Sequence, residues 1–253
     1  MTEEPRVGIV VPAYNEATRL DIQYWRALIQ SSACDWLFVD DGSNDETPEI
    51  LQSLTQTPCQ GSLGLIVQTS NLGKAESVRR GLLEFRDRGY STNDIVGFLD
   101  ADGAFPLEEV VRFTQMATSR DTRYSPLRYG DFDALWSSRV SMAGRTIDRR
   151  IQRHFMARVL HTLIALKHPL LPYDTQCGLK FFRASEVFFS AIAEAFQTRW
   201  FFEIEILMRC RRRGFSLLVR EEPLEAWQDV SNSKIRGREL LRIVGEYIRI
   251  MVS

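Results

Sequence analysis

The sequence predicts an α/β protein built on a mostly parallel sheet, and three observations carry that prediction. Short apolar runs alternate with amphipathic stretches over the first 140 residues. Each run is followed at once by a cluster of polar or acidic residues. No repeat, low-complexity tract or Gly/Ser linker breaks the chain, so its 253 residues are expected to form a single domain.

The elements follow in order. Residues 7–11 read as a buried strand, and 36–39, 63–67 and 95–99 as three more, each apolar and short. Residues 17–31, 46–56 and 73–88 between them have the spacing of amphipathic helices. Strand and helix in alternation imply βαβ units. The second half is less regular. Residues 133–139 are expected to add a strand, and 148–167 a helix with a basic face. Helices over 185–196 and 203–213, a short strand over 215–220 and a final amphipathic helix over 235–252 complete the reading.

Ligands of open α/β sheets bind at the carboxyl ends of the strands. Four segments reach that edge here. They are Pro12 to Glu16, Asp40 to Asp45, Asn71 to Lys74 and Asp100 to Gly103. Asp100-Ala101-Asp102 places two carboxylates one residue apart directly after a strand, where they can gather around one hard divalent cation such as Mg²⁺ or Mn²⁺. A lone D-x-D is a weak pattern, usually a solvated turn, and its three companion loops give it weight. Asp41 is expected to receive hydrogen bonds from a base or ribose, while Ser43, Asn44 and Asp45 suit the cap of the next helix. Lys74 suits either a phosphate contact or plain solvated surface.

The net charge of −1 conceals an asymmetry. Residues 1–110 hold 18 acids and 8 bases, a balance of −10; residues 111–253 hold 15 and 24, a balance of +9. The acidic half suits a metal and the basic half suits phosphates or an anionic surface. Arg139, Arg145, Arg149, Arg150, Arg153 and Arg158 fall within twenty residues containing one acid, Asp148. His154, His161 and His168 recur every seven residues, wider than metal-binding pairs prefer, and read as structural. Cys34, Cys59, Cys177 and Cys210 are dispersed, as expected of free thiols in a reducing compartment. The polar start lacks a signal-peptide pattern and no apolar run reaches spanning length. A cytoplasmic protein is expected, either free or at the cytoplasmic face of a membrane, where Arg236, Arg238, Arg242 and Arg249 of the final helix suit a peripheral role. No nucleic-acid recognition motif accompanies the arginines.

Taken together, Val10-Val11-Pro12-Ala13-Tyr14-Asn15-Glu16, Val39-Asp40-Asp41-Gly42-Ser43, Gly73-Lys74 and Asp100-Ala101-Asp102 resemble glycosyltransferase family 2, which has the GT-A fold. Ser138-Arg139, Asp174-Thr175-Gln176-Cys177-Gly178-Leu179-Lys180, Trp200-Phe201-Phe202-Glu203-Ile204-Glu205 and Ser233-Lys234 are similar to its polyprenyl-phosphate branch. That branch holds dolichyl-phosphate mannose synthases and dolichyl-phosphate β-glucosyltransferases. Arg19-Leu20, Gly103-Ala104 and the stretch from Arg153 to His161 lean to the glucosyl type.

The resemblance implies a nucleotide-sugar donor, UDP-glucose favoured, and inversion at the anomeric carbon. It matches Pro12, Tyr14, Glu16, Val39 and Asp41 to the surroundings of base and ribose, and Asp100, Ala101 and Asp102 to the metal and diphosphate site. Asp100 and Asp102 are the implied metal ligands. Arg139 matches an arginine near the phosphates and Lys234 a basic residue on a closing segment. Asp174, Gln176 and Glu205 match the acceptor side, and residues 1–140 and 141–253 become donor and acceptor halves. The chain departs from the family at Leu179 (usually Phe), Glu203 (often Asp) and Asn232 (Gly).

Two acceptors stay open. A polyprenyl phosphate is anionic near pH 7 and needs basic residues to hold it, with Arg149 and Arg153 as candidates. A sugar or small-molecule hydroxyl needs a base, and Asp174, Glu203 or Glu205 would supply it. A non-catalytic nucleotide-sugar binder is the third reading, and the intact Asp100 and Asp102 argue against it.

Overall fold

The computed structural model describes residues 4–118, 132–148, 171–230 and 237–252. Its main sheet has seven strands in the order β3-β2-β1-β4-β7-β5-β8. The first four are β1 (Val7–Ala13), β2 (Asp35–Asp40), β3 (Leu63–Val67) and β4 (Ile95–Leu99), all parallel where they pair. Helices α1 (Ile22–Gln30), α2 (Thr47–Leu54), α3 (Lys74–Asp87) and α4 (Leu107–Thr118) lie along this half. The apolar runs form strands because both faces are covered: Ile9 and Val11 join one core with Trp25 and Phe38, while Val10 joins another with Val78, Leu82 and Phe85.

The second half contributes β5 (Ala134–Ser138), β6 (Thr146–Asp148), β7 (Leu179–Arg183), α5 (Glu186–Ala191), α6 (Phe202–Arg212), β8 (Val219–Pro223), β9 (Ala226–Gln228) and α7 (Gly237–Val252). Strand β7 runs antiparallel to both neighbours, β4 and β5, and β8 runs parallel to β5. The sheet is therefore mostly parallel, as the sequence predicts, with one reversed strand in its interior. Strands β6 and β9 form a separate parallel pair.

Several bounds move. The helix expected from residue 17 starts at Ile22, because Glu16 O accepts from Arg19 N and Leu20 N in a turn and Asp21 then caps Gln23 N and Tyr24 N. The 185–196 stretch keeps six helical residues, Glu186–Ala191. The strand expected over 215–220 pairs instead over Val219–Pro223, leaving Phe215 and Leu218 53% and 61% exposed. Strands β6, β7 and β9 and helix α4 were not anticipated. The expected basic helix over 148–167 lies outside the described residues apart from Asp148. So do His154, His161, His168, Arg149, Arg150, Arg153, Arg158 and Lys234.

All four cysteines are free; Cys34, Cys177 and Cys210 are buried and Cys59 is partly buried. Helix α7 packs Ile243 and Ile250 against Phe201, Ile204 and Met208, which ties the chain's last helix to α6. Among the described residues no helix is long and apolar enough to cross a membrane.

Candidate active site

The carboxyl ends of β1, β2 and β4 meet at one edge. Because β7 is reversed, its starting end arrives at the same edge: Leu99 pairs with Leu179, and Asp100 N donates to Gly178 O at 2.9 Å. Strand β5 runs the same way as β4, so Ser138 and Arg139 emerge there too. Residues from both halves of the chain thus converge on the D-x-D loop.

The first two loops are stitched to each other. Asn15 takes a left-handed backbone with φ of 52°, its N–H donates to Ser43 Oγ at 2.9 Å, and its Oδ1 accepts from Asn44 N at 2.9 Å. Glu16 N donates to Thr47 Oγ1 at 2.8 Å. Asp40, fully buried, accepts from Gly42 N, Ser43 N and Ser43 Oγ. Pro12 and Val39 are buried beneath these turns, and Tyr14 stands 39% exposed at the rim.

Asp41, expected to receive hydrogen bonds from a base or ribose, is bonded within the protein. Its Oδ1 accepts from Gln68 Nε2 at 2.9 Å and Leu72 N at 2.8 Å, and its Oδ2 from Gly73 N at 2.8 Å. These bonds use the carboxylate to shape the loop that opens α3. Gly73 takes φ of +95°, which a side chain would disfavour, and a Cβ there would lie 3.3 Å from Arg199 Cδ. Lys74 follows directly, and its Nζ lies 2.5 Å from Asp100 Oδ1.

Asp100, Asp102 and Glu16 form the acidic centre. Burial raises the carboxyl pKa of Asp102, and the neighbouring charge of Asp100 raises it further. Burial likewise raises Glu16 in spite of the Arg19 guanidinium bonded to it, with Asp102 and Asp100 adding to the rise. Burial opposes the charge on Lys74, but Asp100 and then Glu203 outweigh it and raise its pKa. Ala101 is buried, and its carbonyl accepts from Trp25 Nε1 at 3.3 Å, which anchors the turn to the core.

A divalent cation fits this donor set. The carboxylates of Asp100 and Asp102 are hard oxygen ligands, and the like-charge strain between them is what a cation would relieve. Glu16 Oε2 is buried without a partner. Asp100 Oδ1 has only the charge contact with Lys74, without an aligned hydrogen bond. Among the described residues no three His, Cys, Asp or Glu side chains gather as a metal cluster. Asp100 and Asp102 would therefore hold an ion together with oxygens from a ligand or water.

The other expected carboxylates are committed elsewhere. Asp174 closes a two-point ion pair with Arg139, Nε to Oδ2 at 2.7 Å and Nη2 to Oδ1 at 2.8 Å, and both side chains are largely buried. Burial disfavours the Arg139 charge, but Asp174 more than restores it and holds the pKa above the ordinary value. Arg139 thus braces the loop entering β7. Gln176 Nε2 donates to Trp200 O at 2.8 Å, tying that loop to the start of α6. Glu205 accepts from Gln197 N, Thr198 N and Thr198 Oγ1 and pairs with Arg209 at 2.7 Å. Glu203 is buried 3.4 Å from Lys180 Nζ, itself fully buried; burial raises the Glu203 pKa against the pull of Lys180 and Lys74.

Gly178 and Lys180 are among the residues of the Asp174–Lys180 motif that had no assigned role. Gly178 makes room for Asp100, since a Cβ there would stand 2.2 Å from Asp100 Oδ2. Lys180 donates to Cys177 O and lies 5.0 Å and 5.4 Å from the Trp136 and Phe98 ring centres. The glycine within a strand-entering motif was a usable signal, whereas a lysine inside a strand reads as solvent-facing.

Known proteins resemble this chain in sequence and in fold. A dolichyl-phosphate beta-glucosyltransferase of Trichomonas vaginalis is 27% identical over 256 residues, covering 97% of this chain and 73% of that protein. The Saccharomyces cerevisiae dolichyl-phosphate beta-glucosyltransferase is 27% identical over 244 residues, 92% of this chain and 70% of the yeast protein. The Mycobacterium tuberculosis glucosyl-3-phosphoglycerate synthase, solved with Mn²⁺, UDP and glucosyl-3-phosphoglycerate, superposes with a TM-score of 0.64 at 17% identity, covering 98% of this chain and 79% of that one. That likeness is one of fold. The sequence pattern of Glycosyl transferase family 2 matches residues 8–169, and with the D-x-D loop, its companion loops and the α/β sheet in place, this chain belongs to glycosyltransferase family 2.

Proposed function

We propose that this glycosyltransferase moves glucose from UDP-glucose to a polyprenyl or dolichyl phosphate, with inversion at the anomeric carbon. The observation that carries the acceptor is the state of its carboxylates. Of the three candidates for a general base, Asp174 and Glu205 are each engaged by a cation and by backbone N–H groups, while Glu203 pairs with Lys180 through Oε1 and keeps its unpartnered Oε2 buried, away from any acceptor. A hydroxyl acceptor needs a base with a free lone pair in reach. A phosphate acceptor does not, because it arrives as an anion. The dolichyl-phosphate glucosyltransferases similar to this chain support the same choice.

In the proposed step a phosphate oxygen of the acceptor bonds to the anomeric carbon as the bond from that carbon to the donor diphosphate breaks. The bonding pair leaves with the nucleoside diphosphate, and no proton need be removed. A bound Mg²⁺ or Mn²⁺ supplies charge neutralisation for the leaving group. Asp100 and Asp102 would hold the ion, Lys74 would bring its charge to the diphosphate, and the loops carrying Pro12, Tyr14, Glu16 and Val39 would seat the nucleotide. Asp41 acts by shaping the loop before Lys74. Residues 1–140 serve the donor and 141–253 the acceptor, with Arg149, Arg153 and Lys234 offering charge for phosphates. A lipid acceptor would hold the protein at the cytoplasmic face of a membrane.

The test is product analysis. The protein is incubated with radiolabelled UDP-glucose, Mn²⁺ and dolichyl phosphate in detergent, and in parallel with GDP-mannose and with soluble sugar acceptors. Glucosyl phosphoryl dolichol is the expected product. Transfer to a soluble hydroxyl alone, or no glycolipid from any donor and lipid pair, would overturn the reading.

A further inference from the structure

Asp100 already has a cation, and the protein supplies it. Lys74 Nζ lies 2.5 Å from Asp100 Oδ1 and 5.4 Å from the centre of the Phe98 ring. On its other side the carboxylate packs against Gly178, so closely that a Cβ there would meet Oδ2 at 2.2 Å. Asp100 Oδ1 is therefore the oxygen left to face a cation, and it makes no aligned hydrogen bond that would compete. An ammonium and a divalent ion cannot both sit at contact distance from one oxygen without facing each other at close range, where like charges repel strongly.

Lys74 is free to leave. Its side chain is 38% exposed, it is the first residue of α3, and the residue before it is a glycine with φ of +95°. Its other close neighbour is an aromatic face, which holds a cation weakly at an exposed site. Glu203 and Asp102 also attract its charge, and a nucleotide diphosphate is a further anion, one that takes two cations at once.

We propose that Lys74 is a tethered placeholder cation, which occupies Asp100 in the free protein and yields it to the divalent ion only when the donor diphosphate arrives. This rests on the donor and metal reading given above. The consequence is thermodynamic. The ion must displace Lys74 when it binds alone, whereas with the diphosphate present Lys74 transfers to phosphate oxygens and the displacement costs little. Metal and nucleotide then bind with positive coupling, and the coupling is the same whichever binds first. The protein would reject free divalent ions and accept the ion with its nucleotide.

The experiment measures Mn²⁺ binding to the full chain by electron paramagnetic resonance of the free ion, with no sugar or acceptor present. Wild type, Lys74→Met and Lys74→Gln are compared with and without UDP. Arg199→Met removes an equal charge beside Gly73 without emptying Asp100, and so controls for the general field. Wild type should bind Mn²⁺ at least about fivefold more tightly with UDP than without, the lower end of typical coupling. Both Lys74 variants should bind Mn²⁺ alone at least about fivefold more tightly than wild type, with a smaller gain from UDP. The proposal is overturned if both variants bind Mn²⁺ alone no better than wild type, or if Arg199→Met gains as much as they do. A wild type that binds no Mn²⁺ even with UDP would instead remove the metal reading on which the proposal stands.

Discussion

Gly178 and Asp100 fit together as wall and ligand: the glycine's missing side chain is the space that the carboxylate fills, with only 2.2 Å between a notional Cβ and Asp100 Oδ2. Gly178→Ala should therefore push the carboxylate out of place. A misplacement of about 1 Å in a reacting constellation can cost about a hundredfold in rate, and overpacking costs roughly 1–3 kcal/mol of stability. Turnover with saturating donor and acceptor, measured beside thermal unfolding, checks both. An alanine variant that keeps a third or more of wild-type turnover would contradict the fit.

Asp102→Asn should abolish turnover and alter the pH dependence of stability. Burial first, and Asp100 second, raise the Asp102 pKa. Between the ordinary carboxylate value of about 4 and the raised one, the native state keeps a proton that the unfolded chain has released. The stability this contributes is full at low pH and is lost as the pH rises through that window. Glu16 and Glu203, also raised chiefly by burial, act in the same direction. The midpoint of thermal unfolding should thus decline less steeply from about pH 4 to 7 in Asp102→Asn than in wild type. Parallel curves for the two proteins would refute the shift.

Lys180 and Glu203 form a pair with no solvent to soften its loss. Lys180→Met leaves a buried carboxylate unpaired and should destabilise the protein by about 3–5 kcal/mol. Lys180→Met with Glu203→Gln removes both charges and should cost less than the two single changes summed, by at least about 1 kcal/mol. Urea unfolding of the four proteins gives the coupling directly; simple additivity would mean that the pair does not interact.

Asp174 and Arg139 should behave as one unit. Asp174→Asn and Arg139→Gln each undo the same brace, so their losses of turnover should be of similar size, and the double variant no worse than the more damaged single. A general base would give another pattern, with Asp174→Asn far more damaging than Arg139→Gln and dominant in the pH–rate profile. Steady-state kinetics across pH 5 to 9 on all four proteins decides between them.

The first half was largely legible because its strands obey simple rules. Each is a short apolar run closed by polar residues, and the D-x-D follows β4 without a break. The second half was harder for reasons that can be named. Strand β7 carries Lys180 in its second position, and nothing local announces that Trp136, Phe98 and Glu203 will enclose that lysine. Strand β8 is spelled Val-Arg-Glu-Glu-Pro, so pattern reading preferred the apolar residues before it. Asp41 illustrates a different gap. Its position beside the nucleotide loops was readable, but its hydrogen bonds to Leu72 and Gly73 join segments 31 and 32 residues apart, and only the fold shows them.

The reversed strand has a consequence for redesign. Donor loops leave the sheet at this edge, while the segment from Asp174 to Gly178 enters it there, so the two sets share an edge without sharing a chain direction. The entering segment is held by Arg139, just past β5, and by Glu221 and the Trp200 carbonyl. Gly178 makes a tight contact with the D-x-D loop. If the proposed acceptor side is right, a chimera that exchanges residues 171–177 for those of a relative, and keeps Gly178, should alter acceptor use while leaving donor use in place.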